Sequence, residues 1–221
     1  MTLFGCKRQG QDRSGHDALA HIWPNHGTLN IRRRLGRYVW FGYLDGASVV
    51  VKLAADPVRV AALAHEAGML QKLGPTGVTP RFIAHAELDG HARLLMEHLP
   101  GDHPVAPLDT EGWAIRALHR AVGSVHALGV VHCDLKPWNI LLRAGRAWLL
   151  DWGMSAQAGT PVAELGRRPY SSGWTHPDLI WGRGFVGLEH DLHALARFCG
   201  SQGSGEARPV VLHAGDTAGG G

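Results

Sequence analysis

The spacing of apolar and polar positions changes several times along this chain, and each change marks an element. From Thr28 the pattern is strand-like: TLNIRRRLG, RYVWFGYL and ASVVVKLA are three β-rich runs. Asp45-Gly46 separates the second from the third. That dipeptide suits a two-residue hairpin turn, where both positions take positive φ. In DPVRVAALAHEAGMLQKLG the period lengthens. Val60, Leu63, Ala67 and Leu70 recur at spacings of three and four, which predicts an amphipathic helix. Asp56 suits its cap, Pro57 its first turn and Gly74 its stop. RFIAHAEL and HARLLMEHL are again strand-like, joined by Asp89-Gly90, and Pro100-Gly101 breaks the pattern. The first hundred residues therefore predict β-β-β-α-β-β.

After the Pro-rich stretch GDHPVAP, a helix is predicted from Asp109 or Thr110 to about Leu128, ended by Gly129. A polar loop, HCDLKPWN, leads into a short strand NILLR, a turn RAGR and a second short strand AWLLDWG. Met154 to Gly187 reads as loop, and GLEHDLHALARFCG as a final helix. Residues 1–26 are polar and unpatterned and predict a flexible arm. Residues 200–221 are Gly-rich and predict a disordered tail. Between them lie an expected first lobe over 27–99 and a second over 100–199.

The 221 residues are 45% hydrophobic, enough for a core. A net charge of +3 and a pI near 9.0 suit anionic ligands without forming a nucleic-acid signature, so no nucleic-acid partner is expected. Arg32, Arg33 and Arg34 make the densest basic run and read as a solvated strand edge. Cys6, Cys133 and Cys199 are few and far apart, so neither a disulfide framework nor a zinc spacing follows, and a reducing compartment is expected. The fifteen histidines form no HExxH or other tight pattern, which predicts no histidine metal site. The N-terminus lacks a signal-like hydrophobic stretch, and no apolar run approaches the ~20 residues of a membrane span. A cytoplasmic protein with no membrane span is the expectation.

The candidate chemistry lies in VVHCDLKPWNILL. Polar groups set between apolar runs are costly unless paired or used. The two short strands that follow bring Asp134, Asn139 and Asp151 around one opening. Asn139 and Asp151 offer oxygen ligands suited to a hard ion such as Mg²⁺. Asp134 is left to orient a hydroxyl or accept its proton, and Lys136 adds a positive charge where a phosphoryl group would transfer. A second lysine, Lys52, sits among apolar neighbours in SVVVKLA, and Glu66 on the following helix is its candidate partner.

In their order and separation these motifs resemble the eukaryotic-type protein kinases, in a minimal, bacterial-like Ser/Thr form. VVVKL is similar to VAIK, HCDLKPWN to HRDLKPxN and DWG to DFG; Glu66 resembles the helix glutamate that holds the lysine. LLMEHLPG resembles the hinge, and GLEHDLHALARF the helix whose aspartate, here Asp191, braces the catalytic loop. The resemblance implies an α+β, two-lobed fold: an antiparallel five-stranded N-lobe with one helix, and a reduced, mainly helical C-lobe. It implies ATP and Mg²⁺ as cofactors. Lys52 would hold the ATP phosphates, with Glu66 holding Lys52 and Gly36 at the bend of the phosphate loop. Met96 would back the adenine pocket, and the main chain near Glu97 and Leu99 would meet the base. Asp134 and Lys136 would be catalytic, Asn139 and Asp151 would ligate Mg²⁺, and His132 would be a buried structural group.

The chain also departs from the family pattern. Only Gly36 stands near the expected bend, with Gly42 further along the next strand. Cys133 replaces the arginine that usually receives an activation-loop phosphate. THPD stands where APE is expected, and GRRPYSSGW reads as the substrate-facing stretch. The helices that usually follow are missing, which implies a partner or a dimer covering the short C-lobe. Three functions follow from these features. The first is phosphoryl transfer from ATP to protein Ser/Thr hydroxyls. The second is transfer to a small hydroxyl-bearing molecule, such as an antibiotic or a lipopolysaccharide sugar. The third is a catalytically weak pseudokinase scaffold.

Overall fold

The computed structural model describes residues 28–200, so the expectations for the arm and for 201–221 lie outside the described residues. The chain divides into two compact units: residues 28–74 with 80–99, and 75–79 with 100–200.

In the first unit, β1 (Leu29–Gly36), β2 (Val39–Leu44), β3 (Ala47–Ala54), β4 (Phe82–Leu88) and β5 (His91–Glu97) form one antiparallel sheet of order β1-β2-β3-β5-β4. Helix α1 (Pro57–Leu73) lies between β3 and β4 in sequence. Both Asp-Gly turns take the predicted conformation, with φ of 48° and 85° at Asp45 and Gly46 and of 51° and 74° at Asp89 and Gly90. Asp56 caps α1 through its side chain, which accepts from the Arg59 N–H at 3.0 Å. The helix buries Val60, Leu63, Ala67 and Leu70, the face its periodicity predicts. Val49, Val51 and Leu95 form the centre of a sheet core, joined by Leu29, Ile31, Trp40 and Leu53.

The arginine run on β1 is set against aromatics of β2. Arg33 pairs with Phe41 and Arg34 with Trp40 in register, and each guanidinium lies 5.6–5.8 Å from the ring opposite it. Gly42 answers a packing demand. A Cβ there would meet the Asn30 carbonyl oxygen at 2.6 Å, so only glycine permits this approach of β1 to β2.

The second unit contains α2 (Trp113–His126), β6 (Val130–Val131), β7 (Ile140–Arg143), β8 (Arg146–Leu149), β9 (Ala156–Gln157), α3 (Pro177–Trp181) and α4 (Glu189–Phe198). β6 pairs with β9 and β7 with β8, both antiparallel. The predicted start of α2 near Asp109 is corrected to Trp113. Asp109 instead closes a turn: its carboxylate accepts from the Glu111 N–H and its carbonyl from the Gly112 N–H, both at 3.0 Å. A side chain that bonds local backbone in this way competes with helix. The stretch from Met154 to Gly187, expected to be loop, also holds β9 and α3. These elements are short and take their support from tertiary packing: Val131, Cys133, Ala156, Val162, Leu179 and Val186 form one buried cluster. Among the described residues no helix is long and apolar enough to cross a membrane.

Candidate functional site

The candidate residues fall into two groups, one in each unit. In the first unit, Lys52 sits on β3 next to buried Val51 and reaches Glu66 on α1. Its Nζ lies 2.7 Å from Oε1 and 2.8 Å from Oε2, a two-oxygen contact. Both side chains are largely withdrawn from water, at 15% exposed for Lys52 and 3% for Glu66. A carboxylate buried that deeply is tolerated only with a charge partner. Met96 is buried on β5, between Val50 of β3 and Phe82 of β4 in register. Glu97 closes the strand by donating its N–H to the Arg81 carbonyl at 2.9 Å, and Leu99 is half-buried just beyond. Gly36 ends β1. The Arg34 guanidinium reaches over this turn and donates to the carbonyls of Gly36, at 2.9 Å, and Arg37, at 2.7 Å. A side chain at Gly36 would meet nothing nearer than Val39 at 3.8 Å. The backbone there is open without being strained.

In the second unit the loop between β6 and β7 is held from beneath by one carboxylate. Asp191, 1% exposed in the first turn of α4, accepts from the backbone N–H of His132 at 2.8 Å and of Cys133 at 2.9 Å. The Nε2 of His126 on α2 lies 2.8 Å from the same group. His132 is fully buried. Its Nε2 faces the Leu150 carbonyl at 2.9 Å and its Nδ1 faces the Asp134 N–H at 3.3 Å. A carbonyl only accepts and an N–H only donates, so the ring is neutral with its proton on Nε2. Its ring packs at 4.6 Å between centroids, tilted by 51°, against Trp152, whose indole N–H donates to the Leu149 carbonyl. His132 is thus a structural bridge between HCDLKPWN and LLDWG.

This bracing holds two non-glycine residues in left-handed backbone, Cys133 at φ 65° and Asp151 at φ 63°. Such strain persists only where surrounding contacts over-determine it, and it concentrates at functional sites. Burial pushes the Cys133 thiol well above its usual range, and the Asp191 and Asp134 carboxylates push it further. The thiol stays protonated and is no nucleophile.

Asp134, 8% exposed, is the centre of the loop. Its Oδ2 accepts from Lys136 Nζ at 2.7 Å and from Asn139 Nδ2 at 3.2 Å, and its Oδ1 accepts from Ser171 Oγ at 3.0 Å. Lys136 also donates to Ser171 Oγ at 3.1 Å. Asn139 Nδ2 donates to the Asp134 carbonyl at 2.8 Å, which fixes the amide and leaves Oδ1 as its acceptor. The carbonyl of Asn139 accepts from the Leu150 N–H at 2.8 Å, placing Asp151 one residue from the loop. Asp151 itself is exposed. Asp134, Lys136 and Asn139 thus come together, with Asp151 next to them in the same unit; Lys52, Glu66, Met96, Glu97, Leu99 and Gly36 belong to the other.

Ser171 is the site residue the sequence did not single out. It lies within the stretch GRRPYSSGW, and nothing local marks it over Ser172. Its place comes from Thr175, whose buried Oγ1 accepts the Ser171 N–H at 2.8 Å.

The family described as "Protein kinase domain" matches residues 51–200. A probable bifunctional tRNA threonylcarbamoyladenosine biosynthesis protein of Methanoculleus marisnigri is 30% identical over 57% of this chain and 21% of its own length. A probable SapB synthase of Streptomyces coelicolor is 31% identical over 68% of this chain and 18% of its own. The serine/threonine-protein kinase/endoribonuclease ireA of Aspergillus fumigatus is 25% identical over 80% of this chain and 17% of its own. The chain therefore spans about a fifth of the length of these relatives.

Proposed function

Because this chain belongs to the protein kinase domain family, we propose that it transfers the γ-phosphoryl group of Mg²⁺-bound ATP to serine or threonine hydroxyls of a protein. The observation that carries this reading is the Asp134 carboxylate, held in place by Lys136, Asn139 and Ser171. An acceptor hydroxyl entering beside Asp134 would be oriented by it and would give up its proton to it. The hydroxyl oxygen bonds to the γ-phosphorus, the bond to the β–γ bridging oxygen breaks, and ADP leaves with that oxygen. Lys136 offsets charge on the phosphoryl group in transit. Lys52, fixed by Glu66, holds the α- and β-phosphates. Gly36 leaves backbone open to phosphate, Met96 backs the adenine, and the main chain at Glu97 and Leu99 meets its edge.

The oxygen donors suit the proposed metal. Asn139 presents its amide oxygen because its nitrogen is spent on Asp134, and Asp151 presents an exposed carboxylate. Mg²⁺, when bound by these two, supplies charge neutralisation at the phosphates. The Lys136-Pro137 pair favours a Ser/Thr protein acceptor, and the name of the Aspergillus relative supports the same class. With Cys133 in place of a loop arginine, and its N–H spent on Asp191, control by loop phosphorylation is not part of this reading. A cytoplasmic location agrees with it.

Labelled Mg²⁺-ATP with casein or myelin basic protein as acceptor tests the proposal, alongside Asp134→Asn and Lys52→Met, each checked for folding by circular dichroism. Protein labelling by wild type that both substitutions reduce by about a thousandfold or more supports it. ATP consumption without protein labelling would redirect the assignment to a small hydroxyl acceptor. No consumption by the folded chain would make it a binding scaffold.

A further inference from the structure

Three groups from two separate stretches of the chain meet where the segment after DWG ends. His176 caps α3, Asp178 is the second residue of that helix, and His190 is the second residue of α4. Their ligating atoms all lie within 4.8 Å of one another, with His176 Nδ1 and Asp178 Oδ2 at 3.7 Å. The rings of His176 and His190 are 4.9 Å apart, and that of His193, one turn further along α4, is 5.2 Å from His176. We propose that His176, Asp178 and His190 form a binding site for a divalent transition metal of the zinc class, one that ties α3 to α4.

The donor set argues for that class. Two imidazoles and one carboxylate suit Zn²⁺ or its neighbours, whereas Mg²⁺ and Ca²⁺ prefer oxygen alone. Three protein ligands with a fourth position for water is an ordinary zinc arrangement. Burial fits as well. His190 is 3% exposed while the Asp178 side chain is 50% exposed, so the site is closed beneath and open to solvent on one side.

Nδ1 of His176 accepts from the Asp178 N–H at 3.2 Å, and Nδ1 of His190 accepts from the Gly187 N–H at 3.1 Å. Both nitrogens therefore carry lone pairs. Both N–H contacts are at the long end of hydrogen-bond distances, so a metal displaces weak partners. Donor atoms of a tetrahedral zinc site lie about 3.4 Å apart, so binding would draw the three groups together by about 1 Å.

The location gives the metal a consequence. His176 follows Thr175, which holds Ser171 against Asp134, and His190 precedes Asp191, which carries the backbone of the Asp134 loop. A metal here pins the segment end to the brace of that loop. Its binding does not depend on the proposed phosphoryl transfer and is tested without it.

The experiment uses the full chain without a polyhistidine tag, stripped with EDTA and titrated with Co²⁺ at pH 7.5 in Mg²⁺-free buffer. Visible absorption and isothermal calorimetry are read together. The expected result is one equivalent bound with an intense visible band, displaced by Zn²⁺, and a rise in Tm with Zn²⁺. His176→Gln and His190→Gln should each weaken this binding by about 100-fold or more, the upper end of what loss of an outer-shell partner costs. Should buried His190→Gln fail to fold, the half-exposed Asp178→Asn replaces it. His119→Ala, at an exposed histidine of the same unit, should bind as wild type. Absence of tight binding by wild type overturns the proposal. Equal binding by wild type and the ligand variants overturns it too, because the metal would then sit elsewhere.

Discussion

At the scale of single residues, the Lys52–Glu66 pair has an energetic signature apart from any activity. Its oxygens and nitrogen lie 2.7–2.8 Å apart with Glu66 almost wholly buried. Removing one partner breaks this buried pair, at a cost of about 3–5 kcal/mol, whereas replacing both with apolar groups is close to neutral. Lys52→Met is therefore expected to lower stability far more than Lys52→Met combined with Glu66→Met. Urea unfolding of the two singles and the double measures the difference. A double variant as unstable as the worse single would mean that the pair is not the reason for the cost. Asp134 is a contrasting case: its three donors come from side chains at 136, 139 and 171, so it is held by a small network.

At the scale of elements, two positions control how neighbouring pieces approach. Gly42 lets β2 lie close to β1, and a methyl group there would press on the Asn30 carbonyl from 2.6 Å. Overpacking against backbone costs about 1–3 kcal/mol, so Gly42→Ala should lower Tm by several degrees in a thermal melt. The same change at Gly36, where the nearest contact is 3.8 Å, should leave Tm nearly unchanged. Asp191 joins α4, α2 and the Asp134 loop through one carboxylate. In Asp191→Asn one acceptor oxygen becomes an amide nitrogen that faces donors already present. The expected loss is about 2–4 kcal/mol. Amide hydrogen exchange at His132 and Cys133 should rise more than exchange in β3 of the other unit. Equal acceleration in both units would argue against a local brace.

At the scale of the whole molecule, half-buried histidines set a pH limit. Burial lowers the pKa of His85, opposed in part by Glu87, and burial with Arg33 lowers that of His98. The unfolded chain then binds protons before the folded one as pH falls through about 6.5. Stability from these groups is complete above that pH and declines below it. Urea midpoints measured between pH 8 and pH 5 should fall on the acid side. His85→Gln should flatten that fall, since His85 Nε2 has no hydrogen-bond partner to lose. An unchanged pH profile in that variant would remove His85 from the account.

Much of the fold could be read from the chain itself, for a physical reason. Hairpin turns at Asp45-Gly46 and Asp89-Gly90, the Asp56 cap and the buried face of α1 are governed by interactions within a few residues, so local spacing specifies them. The kinase-like order of Lys52, Glu66, Asp134, Asn139 and Asp151 was legible because each residue carries chemistry its neighbourhood would otherwise exclude. Other features were decided only in three dimensions. Asp109 closes a turn rather than opening α2; β9 and α3 exist because a shared core supports them; Cys133 and Asp151 take left-handed backbone because contacts around them impose it. Ser171 reaches Asp134 across 37 positions, and Asp191 reaches Cys133 across 58. His176 and His190 meet although no spacing along the chain announces them. Local sequence sets which conformations are cheap; packing between distant segments decides which side chains share a site.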